Sequence, residues 1–563
     1  MRLVIGFATL GALLATARPL PAPAQTALPL KHRPEGTKSA ITPADLMTRL
    51  YLYADDSMLG REAGTEANLR ATTYIESQVR RLGLVPAGDS GGYFQYIPLV
   101  RRLPDARSGL AIEGVSAPLR PGVDYIARDQ GTATRPVDGA EVIYGGAWGD
   151  STMLAPERAA GKIVLVAVPR DPGRNPPWFV PRIPLTNRYR TAAGIAVASL
   201  DLMPEALRQG FGQPQFSLQG GPAAATEPPS YFYVSLATAR RLVGAALDSG
   251  QVGSTGARVR GSTAFLEAPA PARNVVAILP GSDPVLRGQY VAIGAHNDHV
   301  GVTASPVDHD SLLAFRSALR KLELAAPNGE VPPEQIAAIR VSLDSLRRLR
   351  PARLDSVYNG ADDDGSGTVS VLEIAEAFAT QRSRPRRSLV FVWHTGEELG
   401  LFGAQYFTDH PTVPRDSIVA QLNMDMVGRG AAEDIANGGP AYLQLIGTRR
   451  LSTELGDLVE AVNRKRPQPF TFDYQYDATG HPEQYYCRSD HYMYARYGIP
   501  IAFFSTGDHR DYHQLTDEPQ YIDYAKLAKV TELVHDIARA VANLDHRVVV
   551  DKPKPDPQGN CVQ

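Results

Sequence analysis

Five segments in the C-terminal half of the chain combine histidine with carboxylate side chains. They are residues 294–299 (Gly-Ala-His-Asn-Asp-His), 360–367 (Gly-Ala-Asp-Asp-Asp-Gly-Ser-Gly), 394–398 (His-Thr-Gly-Glu-Glu), 423–426 (Asn-Met-Asp-Met), and 489–513, which begins with Ser-Asp-His and ends with Asp-Tyr-His. Imidazole and carboxylate ligands without thiolate suit a catalytic zinc site, in which one coordination position stays open for water. The pattern therefore predicts a catalytic metal centre.

The number of carboxylates exceeds what a single metal ion needs. A pair of ions bridged by one carboxylate and one water accounts for the excess, and such ions lie about 3.5–4 Å apart. Glu397 and Glu398 are adjacent at a strand end, where successive side chains point to different sides. One of them can bind metal while the other acts as general base, and the residues alone leave open which does which.

Each segment alone has an ordinary structural explanation. A His-x-Asp at a strand end is often a surface hydrogen-bond pair, and aspartates beside glycines can cap a helix. Five such segments in this order disfavour that explanation for the whole set. We interpret His394, His481 and His509 as structural residues or as residues that support the ligands.

The strands and helices that must position these side chains are predicted from residue 273 onward. Strand-like apolar runs occur at residues 274–279, 289–295, 389–393 and 418–422, and a helical apolar face runs through residues 369–378. The alternation predicts an α/β fold with a mostly parallel sheet sandwiched by helices. Ligands collect beyond the C-terminal ends of such strands, which is where the five segments fall.

Three further regions differ from this alternation. Residues 43–83 carry apolar side chains at spacings of three and four, which predicts two helices. Residues 118–267 contain short β-like runs between glycine and proline clusters, which predicts an inserted β-rich domain. Within residues 302–358 the apolar spacing three, four, three occurs on both sides of Asn328-Gly329, which predicts an inserted helical hairpin.

Composition limits the possible partners. The 563 residues exceed the usual domain size, so we expect more than one domain. A net charge of −2 disfavours nucleic acid and anionic lipid as partners, since both need a basic excess or a basic stripe. Cys487 and Cys561 allow one disulfide at most. The oligomeric state is not predicted.

The first 24 residues have the pattern of a secretory signal peptide. A positively charged start precedes an apolar run over residues 3–17, and Ala-Pro-Ala at residues 22–24 provides a cleavage site. We therefore expect a secreted or periplasmic protein without stable membrane insertion after cleavage. An uncleaved N-terminal anchor is the alternative.

The five segments, in this order, resemble the zinc metallopeptidases of family M28, which include aminopeptidases, plasma carboxypeptidase-type members and glutaminyl cyclase-type members. The resemblance covers residues 46–544. It rests on the motifs Gly-Ala-His-x-Asp-His, Gly-Ala-Asp-Asp-x-x-Ser-Gly, Glu-Glu-x-Gly-Leu-x-Gly, Asn-x-Asp-Met-Val-Gly-Arg and Ser-Asp-His with a later Tyr-His. It implies a zinc-exopeptidase-type fold and two Zn²⁺ ions per chain.

The resemblance also implies the ligands of each ion. His296 and Asp425 would bind one zinc, Glu398 and His513 would bind the other, and Asp363 would bridge them.

Three supporting roles follow from the same resemblance. Glu397 would be the general base and acid. Asp298 would orient His296, as carboxylates commonly do for zinc-binding histidines. Tyr486 would hydrogen-bond the oxyanion that forms during hydrolysis.

The resemblance assigns the domains as well. Residues 43–117 would begin the catalytic domain, residues 118–267 would form a protease-associated (PA)-like domain that shapes substrate access, residues 268–545 would complete the catalytic domain, and residues 546–563 would be a C-terminal tail. The helical insertion at residues 302–358 is longer than the usual connection in the family. We expect it to overhang the cleft and restrict substrate size.

These inferences predict an exported aminopeptidase that hydrolyses N-terminal residues from peptides. The alternatives are a dipeptidase or carboxypeptidase of the same family, a glutaminyl cyclase-like acyltransferase with one zinc, and a binding protein without activity. Every ligand position and the base position is filled, which disfavours the last of these.

Overall fold

The computed structural model describes residues 28–131, 134–171, 176–211, 213–219, 227–327, 329–559 and 561–563. The predicted signal peptide, residues 1–24, lies outside the described residues. Among the residues that are described, no helix is both long enough and apolar enough to cross a membrane.

The helices and strands of the described residues are numbered in chain order. The helices are α1 Pro43–Tyr53, α2 Glu66–Arg81, α3 Arg182–Arg188, α4 Glu205–Phe211, α5 Leu236–Val243, α6 Ala246–Ser249, α7 His309–Ala325, α8 Pro333–Ala338, α9 Leu343–Leu349, α10 Gly367–Thr380, α11 Phe402–Asp409, α12 Thr453–Arg464, α13 His491–Ala495 and α14 Tyr524–Ala542. The strands are β1 Val85–Pro86, β2 Phe94–Ile97, β3 Leu99–Pro104, β4 Gly109–Ile112, β5 Tyr125–Arg128, β6 Ala140–Ala147, β7 Ile163–Ala167, β8 Gly194–Ala198, β9 Gln215–Leu218, β10 Ser230–Val234, β11 Thr255–Ser262, β12 Phe265–Pro269, β13 Ala272–Leu279, β14 Tyr290–His296, β15 Val302–Asp308, β16 Leu354–Val357, β17 Ser388–His394, β18 Ile418–Met424, β19 Tyr442–Ile446, β20 Thr471–Asp473 and β21 Ile501–Ser505.

A nine-stranded sheet forms the centre of the larger domain. Its strand order is β1-β13-β17-β14-β18-β21-β19-β20, with β2 also paired to β13. The four central strands β17, β14, β18 and β21 are parallel, whereas β13 and β19 flank them in antiparallel orientation. The predicted strands correspond to β13, β14, β17 and β18, so the prediction of a mixed α/β sheet with a parallel centre is confirmed.

Helices cover both faces of this sheet. Val275 and Ala277 of β13 join the core beneath α1, α2, α10 and α14, whereas Val276 joins the core beneath α11 and α13. All three side chains are fully buried. The strand period of two therefore delivers apolar side chains to two cores at once, which explains why these strands are continuously apolar.

The two helices predicted within residues 43–83 are α1 and α2. The Thr42 side chain accepts a hydrogen bond from the Asp45 amide and so caps the start of α1. The connection between the helices carries Arg61, whose buried guanidinium donates to the carbonyl oxygens of Asn359 and Gly360 at 2.6 and 2.9 Å. This contact holds the start of the aspartate-rich segment at residues 360–367.

A second, seven-stranded sheet forms the inserted β-rich region, in the order β4-β11-β6-β7-β8-β10-β5, with an apolar core on each face. Strand β4 belongs to this sheet, since it pairs antiparallel with β11. The sheet therefore begins ahead of residue 118, where the inserted domain was predicted to start. A three-stranded sheet, β12-β3-β9, adjoins it in the chain. The likeness to a PA domain stays a prediction.

The insertion at residues 302–358 begins and ends as a two-stranded antiparallel ribbon of β15 and β16. Its first helix, α7, matches the first arm of the predicted hairpin. The prediction of one helix for the second arm is wrong, because α8 ends at Ala338 and α9 begins at Leu343. Ser342 breaks the helical run, since its side chain accepts a hydrogen bond from the Ser345 amide and caps a new helix.

Candidate metal centre

The five residues predicted as metal ligands lie together at the C-terminal edge of the parallel strands. His296 ends β14, Glu398 follows the end of β17, and Asp425 directly follows β18. Asp363 lies in the turn before α10, and His513 lies in the loop after β21. The parallel orientation of the strands is what places these distant segments at one edge.

These ligands form two groups that share Asp363. In the first group, His296 Nε2 lies 3.2 Å from Asp363 Oδ1 and 3.6 Å from Asp425 Oδ1. In the second group, His513 Nε2 lies 3.0 Å from Asp363 Oδ2 and 3.0 Å from Glu398 Oε2. Each oxygen of Asp363 therefore faces a different group, as a carboxylate that bridges two ions must.

Two donor atoms of the second group lie close together without being satisfied by hydrogen bonds, as expected for atoms that bind a cation. Asp363 Oδ2 and His513 Nε2 are buried and close, yet neither has a hydrogen-bond partner among the described residues. Buried polar atoms are nearly always satisfied, so atoms left in this state point to a missing partner. Nitrogen and carboxylate oxygen donors together suit zinc.

His299 is an additional candidate ligand that sequence reasoning missed. Its Nδ1 lies 2.7 Å from Glu398 Oε1 and 3.7 Å from Asp363 Oδ2, which places it in the second group. Its Nε2 is buried without a hydrogen-bond partner. The second histidine of the Gly-Ala-His-x-Asp-His motif was the signal available in the sequence.

Asp298 touches His296 through its backbone and not through its carboxylate. The His296 Nδ1 atom lies 3.2 Å from the Asp298 carbonyl oxygen, whereas the nearest carboxylate oxygen is 3.8 Å away. Asp298 Oδ1 instead accepts hydrogen bonds from the amides of Gly396 and Glu397 at 2.8 and 3.2 Å. The atom of Asp298 that contacts His296 is thus the carbonyl oxygen, and the carboxylate contacts the turn that carries Glu397.

The aspartate-rich turn is held by two buried carboxylates. Asp364 accepts hydrogen bonds from the amides of Gly367, Met426 and His296, which ties three of the ligand-bearing segments to one side chain. Asp517 accepts from the amides of Asp362 and Asp363 at 3.0 to 3.1 Å. Asp363 is therefore positioned through its own backbone.

The Ser-Asp-His motif supports the centre instead of ligating it. Ser489 Oγ donates to Asp425 Oδ2 at 2.7 Å and itself accepts a hydrogen bond from Asn423. Asp490 pairs with the buried His394, whose Nδ1 lies 3.2 Å from Asp490 Oδ2. Burial lowers the pKa of His491 to about 3, so this imidazole is neutral and packs as an apolar ring.

Two further histidines, His481 and His509, were predicted to be structural or to support the ligands. His509 Nε2 lies 3.4 Å from Asp362 Oδ2, behind the aspartate-rich turn. His481 packs its ring against Tyr476, with ring centres 5.0 Å apart.

Glu397 faces the first group without being part of it. Its Oε2 lies 4.0 Å from His296 Nε2, and its side chain is 11% exposed. Burial raises the pKa of Glu397 well above its usual range, and the carboxylates of Glu398 and Asp425 raise it further. A carboxyl group with a raised pKa beside a metal centre is suited to exchange protons with water.

A cavity of about 350 Å³ opens beside the two groups. Leu401, Met426 and Phe503 contribute apolar wall, and Asp508 and Arg488 contribute charge. The lining contains Glu397 and all of the predicted ligands except His296.

Two tyrosines line this cavity, and neither is the predicted Tyr486. The lining contains Tyr485 and Tyr512, whereas Tyr486 is buried in the apolar core beneath, with the Arg450 guanidinium over its ring at 4.2 Å. The ring of Tyr512 stacks on His513 at 4.1 Å, and its hydroxyl lies 3.3 Å from Arg488 Nη2. Burial and the charges of Asp363 and Glu398 raise the pKa of Tyr512, so its hydroxyl keeps its proton.

The insertion at residues 302–358 contributes no described residue to the cavity lining. The expectation that it overhangs the cleft therefore has no support from the cavity. It contacts instead the segment 508–518, which carries Asp508, Tyr512, His513 and Asp517 and is called the site loop below.

One disulfide closes the C-terminal tail onto the cavity wall. Cys487, which lines the cavity, is bonded to Cys561. The Gln563 side chain accepts a hydrogen bond from the Tyr486 amide at 3.0 Å and donates to the carbonyl oxygen of Tyr476. The predicted tail is thus attached to the turn that carries Tyr485 and Arg488.

Comparison with known proteins gives a match over the larger domain. The family model described as "Peptidase family M28" matches residues 274–538. Leucine aminopeptidase 1 of Coccidioides posadasii (strain C735) is 33% identical over 165 residues, which are 28% of this chain and 39% of that protein. Leupeptin-inactivating enzyme 1 of Streptomyces exfoliatus is 41% identical over 80 residues, 14% of this chain and 18% of that protein. The matched segments thus span less than half the length of either relative.

Among solved structures, an aminopeptidase from Aneurinibacillus sp. strain AM-1 aligns with a TM-score of 0.48 at 16% sequence identity. The alignment covers 91% of this chain and 97% of that one.

Proposed function

Since residues 274–538 of this chain belong to peptidase family M28, we propose that the protein is a di-zinc aminopeptidase that removes N-terminal residues from peptides. One observation carries the proposal. Two groups of nitrogen and oxygen donors share Asp363, and one oxygen of that carboxylate faces each group. Paired metal sites serve displacement reactions in several classes of enzyme, aminopeptidases among them.

Each predicted ligand has its place in this proposal. His296 and Asp425 would hold one zinc, His513 and Glu398 the other, and Asp363 both. His299 is close enough to the second group to join it. When bound, the zinc ions acidify water and polarise the carbonyl group of the scissile bond.

Glu397 moves the proton in the proposed reaction. Its carboxylate faces the first group at 4.0 Å and lines the cavity, so it can accept a proton from water that enters there. The same group then donates the proton to the amine that leaves. Burial and the neighbouring carboxylates raise the pKa of Glu397, which favours its part as proton donor to the leaving amine.

Hydrogen-bond donors on the cavity wall stabilise the charge that develops on the carbonyl oxygen. Tyr512 keeps its proton and lines the cavity, and Arg488 supplies a guanidinium beside it. Donors fixed before the reaction stabilise an oxyanion without reorganisation. We assign this role to Tyr512 in place of Tyr486.

The cavity wall offers contacts for the amino group and for the first side chain of a peptide substrate. The carboxylates of Glu398 and Asp425 suit the free amino group of a peptide, and Leu401, Met426 and Phe503 suit an apolar first side chain. Arg488 also gives a second candidate some support, because a guanidinium in the cavity can bind the carboxylate of a dipeptide.

The proposal includes export from the cytoplasm. The Cys487–Cys561 disulfide supports it, because disulfides persist mainly in oxidising compartments. The signal peptide predicted over residues 1–24 supports it independently.

A substrate panel tests the function directly. Aminoacyl peptides, the same peptides with blocked N-termini, dipeptides, C-terminally blocked peptides and N-terminal glutamine peptides are incubated with and without chelator, and the metal content is measured. An aminopeptidase cleaves free but not N-blocked peptides and loses activity with chelator. Ring closure of glutamine peptides with one zinc per chain would instead identify a cyclase, and a requirement for a free C-terminus would identify a dipeptidase or carboxypeptidase.

A further inference from the structure

We propose that the insertion at residues 302–358 is a clamp that holds the site loop at both ends and thereby positions Tyr512 and His513. This inference rests on the proposed function for its catalytic consequence, and on contacts within the chain for its mechanism. Arg316, Arg320 and His309 are positioning residues in this proposal, since none of them lines the cavity.

The first end of the site loop is held by helix α7. Arg320 Nη2 donates to the Asp508 carbonyl oxygen at 2.7 Å, and Arg316 Nε donates to the Arg510 carbonyl oxygen at 2.9 Å. The two arginines are four residues apart and therefore lie on the same face of the helix. The guanidinium charge makes such bonds stronger than neutral ones.

Arg320 also reaches a second segment of the centre. Its Nε donates to the Asp434 carbonyl oxygen at 2.6 Å. The Asp434 carboxylate binds the buried Arg429, which also binds Asp511 in the site loop at 3.0 Å. One side chain of the insertion thus connects to the site loop directly and through a buried ion-pair chain.

The other end of the site loop is held by the base of the insertion. His309 Nδ1 lies 3.2 Å from Glu518 Oε1 and 2.9 Å from Asp355 Oδ2, and its ring is fully buried. His309 directly follows β15 and Asp355 lies in the returning strand β16, so the base of the ribbon brings this pair together and His309 carries its contact to Glu518. Arg353 Nη1 adds a contact to the same carboxylate at 3.4 Å.

The residues between these two ends are those that complete the candidate centre. Asp508 and Tyr512 line the cavity, and His513 belongs to the second group of ligands. Asp517 holds the amides of Asp362 and Asp363, so a shift of the site loop would also move the shared carboxylate. Loops without regular structure depend on such external hydrogen bonds for a single conformation.

The clamp and the overhang predict different kinetics. A segment that overhangs a cleft excludes long substrates and spares short ones. A segment that positions His513 and Tyr512 affects every substrate alike, because these groups would act on the metal and the scissile carbonyl. The absence of insertion residues from the described cavity lining favours the second behaviour.

The test compares the full-length double variant Arg316→Ala/Arg320→Ala with the wild type and with Lys321→Ala. Lys321 is an exposed cation next to Arg320 on the same helix and serves as the matched control. We measure hydrogen–deuterium exchange of the site loop, zinc retained after dialysis against dilute chelator, and kcat and KM for a dipeptide and a longer peptide.

We expect amides of the site loop to exchange about tenfold faster in the double variant, the effect of losing charged hydrogen bonds. Exchange in α10 should stay unchanged. Zinc retention and kcat should fall, and kcat should fall equally for both peptides. In the single variant Arg320→Lys the exchange rate should lie between those of the wild type and the double variant. One ammonium group cannot replace the two nitrogens of Arg320 that donate to separate carbonyl oxygens.

Exchange and zinc retention like those of the wild type would overturn the clamp, and so would a selective gain in cleavage of the longer peptide. If the double variant does not fold, Arg316→Ala alone is measured, and unchanged exchange there would overturn it equally. A wild-type protein that neither binds zinc nor hydrolyses peptides would refute the proposed function, while the exchange experiment would still decide whether the clamp exists.

Discussion

Asp363 Oδ2 lies 3.0 Å from His513 Nε2, although neither atom has a hydrogen-bond partner among the described residues. The other oxygen of the same carboxylate lies 3.2 Å from His296 Nε2. One side chain therefore joins two groups of donors that come from several separate segments of the chain.

Replacing Asp363 with asparagine should release metal from both groups. The variant loses the negative charge and one of the two oxygens that face the groups. Loss of a side chain that only orients a metal ligand costs roughly 10- to 100-fold in metal affinity. Loss of the shared ligand itself should therefore cost more. Metal analysis and a zinc titration measure the effect. Asp457→Asn, at an exposed position of α12, should bind metal as the wild type does, and a fully loaded Asp363→Asn variant would contradict the shared site.

Replacing Glu397 with glutamine should separate catalysis from metal binding. Glutamine keeps the shape of the side chain but cannot accept a proton, so kcat should fall by roughly 100- to 10,000-fold. Metal content should stay at the wild-type value, because Glu397 belongs to neither group of ligands. Glu433→Gln, an exposed change, is the control. Full hydrolysis by the Glu397 variant would remove the proposed mechanism.

The two tyrosines can be distinguished by matched hydroxyl deletions. Tyr512→Phe removes a donor from the cavity wall and should lower kcat about 100-fold, the cost of one oxyanion donor in a hydrolase. Tyr486→Phe removes a hydroxyl from the core beneath and should leave kcat close to the wild-type value. Steady-state kinetics on one aminoacyl substrate measures both. The reverse order of effects would restore the role first predicted for Tyr486.

Ser489 should act on metal binding through Asp425. Its hydroxyl donates to Asp425 Oδ2 at 2.7 Å and accepts from Asn423. Ser489→Ala therefore leaves the Asp425 carboxylate and the Asn423 amide without this partner. Zinc affinity should fall about 10- to 100-fold, as for other residues that orient a ligand. Competition with a coloured chelator measures the affinity. Ser77→Ala, on the exposed side of α2, is the control, and equal affinity of the two variants would rule out the orienting role.

The disulfide should contribute measurably to stability. Cys487 and Cys561 are separated by 74 residues, and closing a loop of that length restricts the unfolded chain by about 4 kcal/mol. Chemical unfolding with and without a reductant, followed in the wild type and in Cys487→Ser/Cys561→Ser, measures the difference. Reductant should shift the unfolding midpoint of the wild type only. An unaffected wild-type midpoint would show that the tail adds no stability through this bond.

Much of the centre could be predicted because it is encoded locally. His296, Asp363, Glu398 and Asp425 each follow or precede an apolar run whose type is readable from its own residues. Once β14, β17 and β18 are parallel, their C-terminal ends meet at one edge without further information. The roles of these residues stay predictions until metal binding is measured.

Other features could not be read locally. Tyr485 and Tyr486 are adjacent in the short 3₁₀ turn Tyr485–Cys487 and both belong to the same apolar core, but only Tyr485 also lines the cavity. Asp298 was expected to use its carboxylate on His296, but Oδ1 of that carboxylate accepts hydrogen bonds from the amides of Gly396 and Glu397, and the contact with His296 is made by the Asp298 carbonyl oxygen. In both cases the outcome depends on neighbours brought close by folding.

The sequence by itself indicated the resemblance to family M28, the strands β13, β14, β17 and β18, the helices α1, α2 and α10, and the residue types that meet at the sheet edge, because periodicity and motifs are local properties of the chain. The tertiary structure decided that His299 lies in the second group, that Tyr512 lines the cavity, and that the insertion contacts the site loop. The contacts of Arg320 with Asp434 and Asp508 join residues 114 and 188 positions apart. No local pattern encodes such pairs, since they arise only when separately formed elements pack together.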